Sequence, residues 1–112
     1  MRKPSPTDFT VPMPGEGDFV FGRRTLGDSI AIRSEFVHLF GPDGGADAEI
    51  GLFGGFVAAY RVLMVSCPAG WEDLLALDDT NGDAAAKVIE LHALLRAKEE
   101  SFRLPKVEEG EA

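Results

Sequence analysis

The chain of 112 residues holds one cysteine, one tryptophan, one tyrosine and two histidines. A single cysteine, Cys67, excludes an internal disulfide framework and suits a reducing cytosol. Two scattered histidines and one cysteine do not make a zinc site, which draws three or four His, Cys or carboxylate ligands at close spacing. His38 and His92 read as partly exposed helix residues, and Cys67 as a small buried hydrophobe beside Pro68. No apolar run reaches the ~18 residues of a membrane span. The longest, "IGLFGGFVAAYRVLMV", is broken by Arg61. After "MRK" a Pro-rich polar stretch stands where a secretion signal has its apolar core. The expected location is therefore cytoplasmic. A Ser-centred elbow, a phosphate-cradling glycine loop, a dinucleotide fingerprint and a paired acid and base are all missing. The residues predict neither an enzyme nor a bound cofactor.

Cations are also scarce: 11 Lys and Arg face 19 Asp and Glu, for a net charge of −8. The imbalance lies in one part of the chain. Residues 1–42 carry five acids and five bases, whereas residues 43–112 carry fourteen acids and six bases. An acidic surface of that kind keeps a domain soluble and repels phosphate backbones, so nucleic acid is excluded as the expected partner.

What is present reads as one small domain over residues 9–104. It is flanked by a disordered polar start, residues 1–8, and a frayed acidic tail, residues 105–112. In "FTVPMPGEGDFVF", Phe9 and Val11 alternate with polar residues, as do Phe19 and Phe21, and "PGEG" separates the two runs. This pattern predicts a β-hairpin, with Gly15 and Gly17 at positive φ and the proline-bearing first strand at an edge. A helix follows from Thr25. Thr25 and Asp28 form a capping-box-like pair, and "FG" before Pro42 ends the helix. Ile32, Phe36, Leu39 and Phe40 form its apolar face, widened by Ile30 and Val37.

A second helix is expected over 48–66, apolar nearly all round and so central or interfacial. Gly51, Gly54 and Gly55 weaken it and imply a neighbour that approaches its backbone closely. "WEDLLAL" predicts a short helix, and residues 83–102 a long one with Val88, Leu91, Leu95 and Phe102 on one stripe. The fold class is α+β, mainly helical: an N-terminal β-hairpin followed by three to four helices.

"DDTNGD", residues 78–83, has the look of a calcium loop. With Gly82 at position 6 of an EF-hand loop, Asp79 and Asn81 fall at positions 3 and 5. Position 1 is then Leu77, however, and position 12, which needs a bidentate Glu, is Val88. The better reading is a turn in which Asp78 ends one element, Asn81-Gly82 reverses the chain and Asp83 caps the next helix. A calcium-responsive binding module built on 78–83 is the rival from a different functional class.

Two further stretches are less generic. "FVFGRRTLGDSIAI" places Arg23 and Arg24 between a strand and a capped helix, where planar guanidinium forks are suited to carboxylates of this chain or of a partner. "LRAKEESFR" ends the last helix with alternating charge and Phe102, which either packs on the hairpin or first helix or anchors a partner.

"FVFGRRTLGDSIAIRSEF", "VLMVSCPAGWEDLLALD" and "LRAKEESFR", in this order and at these separations, resemble small proteins encoded in tail-morphogenesis regions of tailed bacteriophages and prophages. Those proteins are described as tail assembly chaperones or tail components. The resemblance covers residues 9–104, most strongly in F-x-F-x-R-R-T, P-x-G-W and K-E-x-S-F-R. It implies a non-enzymatic role: holding the tape-measure protein soluble while tail-tube subunits polymerise around it. The alternative within the virus is a structural tail or neck component. The contact residues expected are Arg23, Arg24, Phe53, Phe56, Trp71 and Phe102, because aromatic and arginine anchors dominate interfaces.

Overall fold

The structure, a computed structural model, describes residues 2–103. The tail expected over 105–112 lies outside the described residues. The fold is α+β and mainly helical. Strands β1 (Phe9–Met13) and β2 (Gly17–Phe21) form the hairpin, followed by α1 (Leu26–Phe40). A π-helical turn over Ile50–Gly54 then runs into α2 (Gly55–Leu63), which passes directly into β3 (Met64–Ser66). A 3-10 turn at Leu74–Ala76 and the long helix α3 (Asp83–Glu100) complete the chain.

The hairpin register pairs Phe9 with Phe21 and Val11 with Phe19, so these four side chains share one face. Gly15 at φ +85° and Gly17 at φ +130° make the turn between them, conformations that a side chain disfavours. β1 is an edge strand, as suits Pro12 within it. β2 is not the other edge, because β3 pairs with it antiparallel through Val20–Ser66 and Phe21–Met64. The helix expected over 48–66 therefore stops at Leu63. Met64, Val65 and Ser66 are β-competent residues, and they complete open hydrogen-bonding positions of β2.

The core gathers one face of each element. Val11, Met13, Phe19 and Phe21 from the hairpin meet Phe56, Tyr60 and Leu63 of α2, Trp71 and Leu74 of the connecting loop, and Val88, Leu91 and Leu95 of α3. Aromatic edges meet aromatic faces at two central contacts: Phe19 lies 5.2 Å from Trp71 and Phe21 5.8 Å from Tyr60, both T-shaped. The Tyr60 hydroxyl donates to the Trp71 carbonyl at 2.7 Å, which satisfies the one polar atom of that buried ring. Burial raises the Tyr60 pKa far above its ordinary value.

α1 starts as expected. The Thr25 side chain accepts from the Asp28 N–H, and the Asp28 carboxylate accepts from the Thr25 N–H. The helix lies at the periphery, with none of its residues fully buried. Ile32 and Leu39 pack against the core, and Phe36 and Phe40 press on Gly54. Ile30 and Val37, assigned to the packed face on sequence, are exposed. An Arg61–Glu35 ion pair at 2.8 Å ties α2 to α1.

Three further expectations are modified. "WEDLLAL" forms only the 3-10 turn, because the Asp73 carboxylate bonds the Leu75 N–H locally and the turn closes after Ala76. α3 ends at Glu100 rather than Phe102. Residues 2–8, expected to be disordered, have specific partners: the Arg2 N–H donates to the Met64 carbonyl, and its guanidinium pairs with Asp28 at 3.0 Å.

Candidate interaction site

The six contact residues expected on sequence separate into three environments. Phe56 and Trp71 belong to the core, 3% and 5% exposed. Phe56 stacks on His92 with centroids 4.8 Å apart. The Trp71 indole N–H donates to Glu16 in the hairpin turn, and Glu16 also pairs with Lys87 of α3 at 3.0 Å. Those bonds from Lys87 and Trp71 hold the Glu16 carboxyl below its ordinary range. Both aromatics are therefore corrected from partner anchors to structural residues. The sequence marks them as large and aromatic, a property that core and interface positions share.

Arg23, Arg24 and Phe102 come together. Residues 22–25 carry the chain from β2 toward α1, and the last turn of α3 passes beside them. Arg24 grips Glu99 through Nε and Nη2 at 3.1 and 3.2 Å, a bidentate pair. Arg96 adds a third bond to the same carboxylate at 2.7 Å. Arg23 lies 4.3 Å above the Phe102 ring, which in turn meets Phe9 edge-on at 4.9 Å. Around these residues is a cleft of about 390 Å³, lined also by Glu100 and Arg103. Arg96 and Arg103, both in "LRAKEESFR", are not among the contact residues expected on sequence.

Phe53 stands in a different place. It is half-buried and lines an apolar groove of about 430 Å³ with Val57, Leu74, Leu75, Ala84 and Val88. Glu49 and Asp79 stand among its lining residues, and both are exposed. Leu75 is 55% exposed, so a large apolar side chain in the groove faces solvent. A second apolar feature lies on α1. Leu26, Ile30 and Val37, spaced by four and seven on α1, form a stripe that faces water.

The acidic turn that precedes α3 is built from its own side chains. Asp78 accepts from the Thr80 N–H and hydroxyl, and Asp79 accepts from the Ala85 N–H at 3.1 Å. The capping carboxylate is thus Asp79, not Asp83. Gly82, left-handed at φ +77°, occupies the cap position, and Asp83 lies in the first helical turn. Among the described residues no group of three or more His, Cys, Asp or Glu is placed to hold a metal ion. No helix among them is long and apolar enough to cross a membrane. Cys67 is half-buried, and burial raises its thiol pKa.

No family model, curated protein or solved structure matches this chain.

Proposed function

We propose that the protein is a non-enzymatic binding protein of bacteriophage tail assembly: a cytoplasmic chaperone that keeps the tape-measure protein or the tail-tube protein soluble during tail morphogenesis. The groove at Phe53 is the observation that carries this reading. A long helical client aggregates through apolar stripes, and a chaperone for it needs an apolar trough with charged walls. Phe53, Val57, Leu74 and Leu75 supply the trough, and Glu49 and Asp79 supply acidic walls. A client helix suited to this groove places apolar residues at i, i+3 and i+4, with Lys or Arg beside them. Reversible binding needs no catalytic group.

Co-expression with the tape-measure and tail-tube proteins of the same locus tests the proposal. The expected outcome is a soluble complex that survives size exclusion and is lost with Leu75→Lys, a substitution at an exposed position that leaves the domain folded. A folded chain that elutes apart from both proteins refutes it. Phe56 is unsuitable for this test, because its removal opens the core.

A further inference from the structure

A chain of net charge −8 concentrates four of its eleven cations, Arg23, Arg24, Arg96 and Arg103, around one cleft. Only two carboxylates, Glu99 and Glu100, line the same cleft, which leaves it with two positive charges in excess. These groups are not equivalent. Glu99 is enclosed by Arg24 and Arg96 and is only 13% exposed at its side chain. Arg103 makes an exposed pair with Glu100 at 3.2 Å. Arg23 has no carboxylate partner among the described residues, and the Phe102 ring beneath it fixes where its guanidinium lies.

We infer that this cleft docks a carboxylate-rich peptide segment of a partner protein, with Arg23 and Arg103 facing the ligand and Arg24 as a positioning residue. The surface is separate from the apolar groove, so the inference does not depend on the chaperone reading. Charge complementarity chooses the occupant. Guanidinium forks match carboxylates in two parallel bonds, and the cleft already holds one carboxylate, that of Glu99, in this way. A nucleic-acid strand carries charge at every step beyond the cleft and meets the acidic remainder of the chain. A short run of glutamates needs only a local positive patch. Phe102, which is only partly buried, adds apolar contact for the side chains between the acids.

The test is fluorescence anisotropy of a labelled peptide with Glu-Glu pairs between leucines, titrated with the full chain at low salt. Saturable binding is expected, weakening as salt is added. Arg23→Glu should reduce affinity by about tenfold or more, the loss of one charge-assisted pair. Arg23→Lys, which keeps the charge but removes the fork, should fall between the two. Arg33→Glu makes the same change in net charge on α1, outside the cleft, and should stay within about twofold of the unmodified chain. Circular dichroism checks that each variant is folded. Absence of binding, an equal loss with Arg33→Glu, or tighter binding of a single-stranded oligonucleotide than of the peptide overturns the inference.

Discussion

His92 lies against the face of Phe56 on the inner side of α3, and its imidazole is held below its ordinary pKa. Burial is the larger cause, and the positive charges of Arg96 and Arg24 add to it against the weaker opposing pull of Glu99. A histidine with a depressed folded pKa leaves stability intact above its unfolded pKa of about 6.5. That stability is lost as pH falls below this value and through the folded pKa, because the unfolded chain takes up the proton first. The melting temperature should therefore fall between pH 8 and pH 5, and His92→Gln should flatten that part of the profile. An unchanged slope in the variant would assign the pH dependence to other groups. The sequence reading of His92 as a partly exposed helix residue agrees with its place in the structure, but the Phe56 ring stacked against it comes from another helix and is not legible in "IELHALL".

At the scale of elements, the helix from the π-helical turn through α2 is the least regular part of the fold, and its glycines explain it. A Cβ at Gly54 would stand 2.7 Å from the Phe40 ring and 2.9 Å from the Phe36 ring, whereas one at Gly55 meets nothing within 4 Å. Two neighbouring glycines in helical conformation thus have opposite roles. Gly54→Ala should destabilise by about 1–3 kcal/mol through overpacking against α1. Gly55→Ala should stabilise by up to about 1 kcal/mol through helix propensity alone. Chemical denaturation of both variants checks the pair, and equal shifts would contradict the packing account. The close neighbour inferred from three glycines is real, but it touches one of them. Sequence spacing could not select which, because that depends on how α1 crosses α2. β3 was missed for a related reason. Met64–Ser66 continue an apolar helical pattern, and only the open side of β2 draws them into the sheet.

Over the whole molecule, the hairpin, α2 and α3 share one core, while α1 rests on it without a fully buried residue. Regions with few buried apolar contacts open locally at lower free energy than the core does. Native-state hydrogen exchange should show α1 amides protected about tenfold or more weakly than those around Leu91 and Leu95 in α3. Equal protection would show that the capping box and the Arg61–Glu35 pair couple α1 fully to global unfolding. The surface is divided by charge and polarity as well. An apolar groove between acids and a cleft rich in arginines occupy separate parts of it.

The sequence by itself determined what local patterns determine. Alternation and glycine placement specified the hairpin, a Thr25–Asp28 box specified the start of α1, and a heptad-like stripe specified the buried face of α3. These features act through neighbours in the chain, so they survive without knowledge of the fold. Tertiary structure alone decided which aromatics became core and which became surface, since Phe56, Trp71 and Phe102 are alike in composition and differ only in what packs over them. It also decided the arginine cleft. "FGRRT" and "LRAKEESFR" lie far apart in the chain and become one site only because the hairpin and α3 pack together on a common core.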